Sequence, residues 1–512
     1  MIFCPAEGDV SKKITIFEAA TSNSSTMLRK YIFSLLSIAF IALTTPAASM
    51  ADEVTDAVAA AKKSPKNQKA NRRAAEALRD AGQPAEAITY FIKSDNRGNL
   101  DAAELCFDLY DFQRAGELLD KYLSKRTKDQ SAADNQYIPQ WSDEPTDYTD
   151  ILRHRINLGL SMLDRVEKIA VMDSVNIPAD DFLNYYRMAR TAGRLRPDSR
   201  VERLLPRGWI TAQGLATLSP AAFESEAGDY VMFAAMDDES GKSALYETYQ
   251  LADGQWIEPV RLFDFESIFG KDSGSTVDFP FLMPDGVTLY FAADGEDSLG
   301  GLDIFVSRRG DESYLQPSNV GMPYNSPAND YMLAIDEANG IGWWVSDRNG
   351  LADSVTVYTF IPSADMRVNY PADTPDLGDI ARLSSIALTQ SGAPYSAAEL
   401  RKRAEAAAAT ADDSGDPVIE ISLPDGRVIT SADNFSSPRV RKAVAEYVKG
   451  CNYLAASRRQ LEQLRAQYGA GDHSLSFRII SLEEEVERRN RELTSLRNEV
   501  VHAELGDNIS NF

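Results

Sequence analysis

The sequence predicts a multidomain α + β protein, and three observations support this prediction. Alanine and leucine recur at helical spacing between residues 52 and 125. A strand-rich pattern then occurs three times between residues 201 and 362. Near the C-terminus, apolar residues alternate four and three positions apart, as in a heptad repeat. A chain of 512 residues is long enough to hold two to four such domains.

The start of the chain has the pattern of a secretory signal peptide. Arg29 and Lys30 precede a mostly apolar run over 31–43, and small residues follow over 44–51. The run is shorter than the roughly 20 residues that a membrane span needs. We therefore expect translation to start at Met27, residues 1–51 to be an extension plus a cleaved signal peptide, and the mature protein to be periplasmic or outer-membrane-associated. An uncleaved N-terminal anchor is the alternative.

Residues 52–200 are predicted to form an N-terminal helical-repeat array. The segments 81–91 and 110–115 repeat a short turn followed by a helix that begins with small residues. Small side chains such as Ala87 and Ala115 let two helices approach closely. Arrays of this kind bind peptides or partner proteins on a concave face, although helices that only brace the next domain are an equal alternative.

Residues 201–362 are predicted to form a central β-propeller-like domain of few blades. The segments 230–235, 288–293 and 341–346 match one another, and each is followed by a partner strand, at 244–249, 303–307 and 354–360. The repeat length of about 50 to 60 residues is close to that of a propeller blade.

Three blades are fewer than the four or more that usually close a propeller. An additional strand is therefore expected from 417–430, within the irregular segment 363–436, or from 215–223. The alternatives are an open stack of three sheets, or a separate small β element at 417–430.

These repeats resemble the TolB-like, WD-repeat-like propellers of bacterial envelope proteins. The motifs that carry the resemblance are PDG at 284–286, LYFA at 289–292, GGLDIF at 300–305 and SDRNG at 346–350. The chain as a whole resembles Bacteroidetes envelope proteins that combine a tetratricopeptide-type helical array with such a propeller. The resemblance implies an envelope location and partner proteins, and it implies no ligand.

Residues 437–505 are predicted to form a C-terminal α-helical hairpin or coiled coil. The positions Leu475, Ile479, Leu482 and Val486 continue a heptad stripe to Ala503. Such a stripe is more often structural than ligand-binding, and it allows self-association.

Composition argues against several activities. A net charge of −24 repels nucleic acid, and no local basic patch is evident. With only three cysteines and three histidines, the chain has too few of these residues to favour a disulfide framework, a zinc site or a catalytic triad. We find no nucleophile elbow, phosphate loop or HExxH motif. No catalytic residue, metal or cofactor is therefore predicted.

Two groups of residues remain as candidates for binding. Asp294, Asp297 and Asp303 surround a glycine-rich loop, where they could bind calcium or, more simply, accept hydrogen bonds from backbone amides. Trp343 and Trp344 face opposite ways on their strand, so one of them should lie in the core. The other, if exposed, could stack on sugar rings, although packing within the blades is the favoured interpretation. The favoured function is a non-enzymatic envelope scaffold; the alternatives are a glycan- or peptidoglycan-binding module and a propeller-based hydrolase. The hydrolase would need Asp294, Asp303 and Asp347 to converge in one pocket.

Overall fold

The computed structural model describes two compact units of the chain, and each is treated by itself. One unit is 31–413, and the other is 414–512 together with 1–30. The described residues are 47–390 without 140–141, 143, 252–253, 272, 312, 352, 363–366 and 372, and then 399, 402, 421–422, 428–429, 442, 446, 457, 464, 475–482, 485, 488–489 and 492. The predicted signal segment up to residue 46 and most of 437–505 lie outside them.

Seven helices follow one another in the first part of the larger unit. They are α1 Ala47–Lys63, α2 Gln68–Asp80, α3 Pro84–Phe91, α4 Arg97–Asp108, α5 Phe112–Ser124, α6 Lys128–Asp134 and α7 Tyr148–Leu163. From α1 to α5 each helix packs on the next, and α5 also packs on α7. Short connections between consecutive helices therefore give a stack of helical hairpins.

Local sequence explains where these helices begin. The side chains of Asn67 and Asp111 accept hydrogen bonds from backbone amides three residues later, and Thr127 forms a capping box with Gln130. Pro84 occupies the first turn of α3, where its missing amide hydrogen is not needed. The helices bury one apolar core, which includes Leu78, Phe91, Leu100, Phe112, Leu119 and Tyr122.

The rest of the larger unit contains three separate antiparallel sheets. Their strands are β1 Ala170–Pro178, β2 Arg194–Arg196, β3 Leu215–Leu218, β4 Ala222–Glu224, β5 Tyr230–Asp237, β6 Ser243–Tyr249, β7 Val260–Asp264, β8 Thr276–Leu282, β9 Thr288–Asp294, β10 Leu302–Arg308, β11 Ser318–Asn319, β12 Asp330–Asp336, β13 Ile341–Ser346 and β14 Ser354–Ile361. Short helices α8 Asp198–Glu202, α9 Trp209–Ala212, α10 Phe265–Phe269, α11 Leu377–Arg382 and α12 Ile386–Gln390 lie among and after them.

The first sheet has the order β2-β4-β5-β6-β7, with β3 also on β5. The second has the order β11-β10-β9-β8 and the third β1-β14-β13-β12. Among the described residues these sheets are open, and no sheet closes on itself. The chain is thus a mixed helix-and-sheet protein.

The second and third sheets repeat each other in detail. Strands β8 and β12 each contain a bulge opposite the middle of the next strand. Within the bulges, Phe279 has φ of 53° and Met332 has φ of 54°, which are strained values for residues with a Cβ. The same unusual backbone at corresponding positions shows that the sequence repeat is also a structural one.

The additional strand of the third sheet comes from an unexpected part of the chain. Strand β1 precedes all the repeats, yet it pairs with β14 from Ala170↔Ile361 to Pro178↔Ser354. The segment 215–223 supplies β3 and most of β4 to the first sheet. Residues Ile421–Ser422 and Val428–Ile429 pair with each other. The rest of 417–430 lies outside the described residues, so a contribution of this segment to the repeats stays a prediction.

The segment 179–212 connects the first sheet to the third. Its Phe182 and Tyr186 rings contact Tyr331 and Trp343 of the third sheet, while β2 pairs with β4 of the first. The second sheet contacts both other sheets directly, because β8 packs on β5 and β12. The connecting segment therefore packs against both the first and the third sheet.

Only short pieces of the predicted C-terminal helices are described. Residues 476–482 are helical, and Phe477 and Ile480 are 81% and 54% exposed. In the described part of the chain, no helix is long and apolar enough to cross a membrane.

Candidate functional site

The glycine-rich loop between β9 and β10, predicted as a site, joins the second sheet to its neighbours. Asp294 begins the loop and is 3% exposed. Its Oδ1 accepts hydrogen bonds from the amides of Ser275 and Thr276, at 3.0 and 2.6 Å. Burial raises the pKa of Asp294, while these bonds act in the opposite direction. This carboxylate ties β9 to the start of β8.

Asp303 ends the same loop and is fully buried. Its carboxylate accepts from the amides of Leu299 and Gly300, at 2.9 and 3.2 Å, and from the side-chain amide of Asn319 at 2.7 Å. Burial raises the pKa of Asp303 to about 7. The side chain therefore folds the loop back on itself.

Asp297 is on the outer part of the loop. Its carboxylate lies 3.0 Å from Nζ of Lys271, which also contacts Glu296 at 3.3 Å. These three side chains are 41%, 37% and 50% exposed, so their pairing is a surface interaction of small energy. The predicted carboxylates thus have three different sets of partners. No three His, Cys, Asp or Glu residues are gathered for metal binding within the ranges that the structure covers.

The two glycines of the loop are needed for close packing. A Cβ on Gly300 would lie 2.0 Å from the carbonyl oxygen of Ala328, and one on Gly301 would lie 2.2 Å from Oδ1 of Asn329. Leu299, beside them, is fully buried in the core of the helices. The loop therefore contacts the third sheet on one side and the helices on the other.

A buried ion pair lies at the next junction. Arg348, 5% exposed, is 2.7 Å from the fully buried carboxylate of Asp330. Arg348 also donates to the carbonyl oxygen of Pro323 at 3.0 Å and to Oγ of Ser346 at 2.9 Å. With the carbonyl oxygen of Tyr324 as a further acceptor, all three guanidinium nitrogens of Arg348 donate a hydrogen bond, which offsets the cost of burying this charge.

The turn between α4 and α5 reaches this ion pair. Tyr110 has φ of 63° and is buried, and its hydroxyl lies beside Ser326, Asp330 and Arg348. Burial raises the pKa of the Tyr110 hydroxyl. Tyr110 therefore brings the helices against the third sheet, and its hydroxyl has no hydrogen-bond partner within the described residues.

Neither tryptophan of the predicted pair is exposed. Trp344 is fully buried and stacks on Tyr358 with ring centroids 4.7 Å apart. Trp343, on the other face of β13, is 4% exposed because Tyr186 of the connecting segment covers it, with centroids 6.0 Å apart. Both indoles are therefore packed and neither is exposed, because 179–212, a distant part of the chain, covers the second face of the sheet.

Asp294, Asp303 and Asp347, the carboxylates of the hydrolase alternative, accept hydrogen bonds from different groups. Asp347 accepts from the backbone and side-chain amides of Asn329, both at 2.7 Å. Asp347 therefore repeats in the third sheet what Asp294 does in the second. Both residues fasten an inner strand of their sheet.

A small pocket lies between α7 and the glycine-rich loop. Its volume is about 160 Å³, and it is lined by Thr146, Asp150, Ile151, His154, Arg155 and Glu296. A space of this size admits one side-chain-sized group. Five of its residues lie within 146–155, and Glu296 comes 141 positions after Arg155, so no local sequence pattern indicates the pocket.

These features define a helix-and-sheet protein whose polar residues mainly fasten one element to another. Comparisons with protein-family models, with curated proteins and with solved structures find no match.

Proposed function

We propose that this chain is a non-enzymatic scaffold or protein-interaction protein of the bacterial envelope. In this proposal the helices form a tetratricopeptide-like array, the three sheets are TolB-like repeats, and the mature protein is exported to the periplasm or the outer membrane through a cleaved signal peptide. Its partners are other envelope proteins, and the C-terminal helices allow self-association.

One observation carries the proposal. Carboxylates at corresponding positions of two repeats, Asp294 and Asp347, are used to bind backbone amides of their own sheets. The conspicuous polar residues therefore serve architecture, and broad surfaces on the helices and sheets remain for partners. The exposed apolar side chains Phe477 and Ile480 support self-association of the C-terminal helices.

The two alternatives have less support. Glycan binding was based on an exposed tryptophan, and both candidates are buried. Hydrolysis was based on convergence of Asp294, Asp303 and Asp347, and each of these accepts hydrogen bonds from different groups.

Crosslinking in cells tests the proposal. The full chain, tagged at its C-terminus, is crosslinked in its native host, and crosslinked species are recovered from the envelope fraction. We expect discrete adducts that disappear when residues 52–163 or 201–361 are deleted. Recovery of the same background proteins with the full chain and with both deletions would refute an interaction role.

A further inference from the structure

The chain that follows the third sheet returns across the junction between the helices and that sheet. Residues 367–371 and 373–390, which we call the strap, contain α11 and α12. Near the start of the strap, the amide of Tyr370 donates a hydrogen bond to the carbonyl oxygen of Val166 at 2.8 Å. The strap therefore lies beside the short connection between α7 and β1.

The two short helices of the strap pack on different parts of the fold. Helix α11 packs on α7, and its Ile380 and Ala381 are buried in the core of the helices. Helix α12 packs on β1, and Leu383, which lies between α11 and α12, is buried in the core of the third sheet. The strap therefore links the helices to the third sheet.

Helix α12 covers the outer edge of β1 with side chains. The amide of Val171 donates to Oγ1 of Thr389 at 3.0 Å, and Nε2 of Gln390 donates to the carbonyl oxygen of Val171 at 2.8 Å. Strand β1 ends the order of its sheet, and in the part of the chain that the structure describes no strand pairs with this edge. The two bonds therefore satisfy backbone groups that an additional strand would otherwise bind.

Two features make the strap weak by itself. Its helices have six and five residues, whereas an isolated helix needs about 12 or more to be stable. Asp376 and Leu383, on either side of α11, have φ of 56° and 57°, and this left-handed backbone is unfavourable for residues with a Cβ. The strap is therefore folded only while it is packed, and its backbone strain favours release.

We propose that the strap opens as one unit while the helices and the three sheets stay folded. Opening withdraws a few apolar side chains, such as Ile380 and Leu383, from two cores that remain otherwise intact. Unfolding the third sheet would instead break the pairing of four strands, so release of the strap needs less free energy. The open form loses one link between α7 and β1, and the backbone groups of Val171 become unpaired.

Native-state hydrogen exchange of the full chain tests this proposal, with fragmentation mass spectrometry resolving single amides. The amides of Ile380, Leu383 and Leu388 are hydrogen-bonded within the strap. We expect these amides and that of Val171 to exchange at least about 100-fold faster than the amides of β13. Their exchange should also depend more weakly on urea, because opening the strap exposes less surface than global unfolding.

Two outcomes of this measurement would overturn the proposal. If the strap and β13 exchange at the same rate and with the same urea dependence, the strap opens only when the whole protein unfolds. If the amide of Val171 stays as protected as β13 while the strap exchanges, α12 does not control the edge of β1.

A matched pair of variants separates local release from global unfolding. Asp376 and Asp353 are both exposed, with φ of 56° and 55°, and glycine adopts such values without strain. Only Asp376 lies in the strap, so Asp376→Gly should slow exchange of the strap and of Val171 by roughly twofold to fivefold. The control Asp353→Gly should leave these rates unchanged, because residue 353 keeps its conformation when the strap opens.

Circular dichroism verifies that both variants are folded. Equal slowing by the two variants, or no slowing by Asp376→Gly, would show that the strap is not released by itself. The measurement needs no partner, so its outcome does not depend on the proposed interaction function.

Discussion

Replacing Asp278 should make the protein more stable at neutral pH and change how its stability depends on pH. Asp278 lies in β8, immediately before the strained Phe279, and is fully buried. Its Oδ1 accepts from the amide of Phe279, whereas Oδ2 has no hydrogen-bond partner within the described structure. Burial raises the pKa of this carboxyl from 3.8 to about 7. The folded protein therefore favours the neutral acid.

The sign of the pH effect on stability follows from the coupling between proton binding at Asp278 and folding. Below about pH 4 the carboxyl is protonated in both the folded and the unfolded chain, and its titration does not affect stability. Between about pH 4 and pH 7 the unfolded chain releases the proton while the folded chain keeps it, so the free energy of unfolding falls as pH rises. Above about pH 7 the loss is complete. A difference of about 3 pKa units corresponds to roughly 4 kcal/mol.

The assay is urea unfolding of the native chain and of Asp278→Asn at a series of pH values from 4 to 8.5. Asparagine has nearly the same shape and carries no charge. We expect the two proteins to differ little at pH 4, and the variant to be more stable at pH 8 by a few kcal/mol, up to roughly 4 kcal/mol.

A matched control lies on the same hairpin. Asp285 is exposed; the slight desolvation of its carboxyl acts to raise the pKa, but hydrogen bonds from Thr288 and Val287 lower the pKa overall. The variant Asp285→Asn should therefore lose stability at neutral pH relative to the native chain, and this difference should shrink as the solution is made acidic. If Asp278→Asn shows no stabilisation above pH 7, or follows the same pH trend as the control, Asp278 is not a buried neutral acid and the reasoning is wrong.

Three further predictions concern packing and buried charge. Gly116→Ala should raise helix stability by up to about 1 kcal/mol, because the nearest atom would be 3.7 Å from the new Cβ. Gly159→Ala should instead destabilise the protein, because the Cβ would lie 2.6 Å from the Phe112 ring; equal denaturation midpoints would contradict both. Arg348→Met should cost about 3–5 kcal/mol by leaving a buried carboxylate without its cation, and pairing it with Asp330→Asn should recover part of that loss in a double-mutant cycle. Trp344→Ala should cost about 3–5 kcal/mol in chemical denaturation, and a loss below about 1 kcal/mol would mean that the indole is not in the core.

Sequence patterns were informative where the determinants are local. The strands at 230–235, 288–293 and 341–346 each lie within a strand of the structure, because alternating or continuous apolar runs between turn residues are read over a few positions. The turn at Asp285 also follows from its own side chain, which accepts from the amides of Val287 and Thr288. The same local chemistry explains why Asp294 accepts hydrogen bonds from the backbone amides of Ser275 and Thr276.

Sequence patterns did not predict contacts between segments that are distant in the chain. Nothing near Trp343 indicates that Tyr186, in a different part of the chain, covers it. The pocket beside His154 likewise depends on the distant Glu296. The local excess of arginine over 187–207, seven arginines against two acids, is visible in the sequence although no local basic patch is predicted there; a count over a window of about 20 residues reveals it.

The pairing of β1 with β14 has a consequence for biogenesis. The third sheet gains its outermost strand from residues made about 190 positions earlier, as Ala170↔Ile361 records. During synthesis, β1 therefore stays unpaired until the last repeat emerges. A chain that stops before residue 354 would leave this strand without its partner, with an edge open to aggregation. Truncated copies should therefore be more sensitive to proteolysis than the full chain.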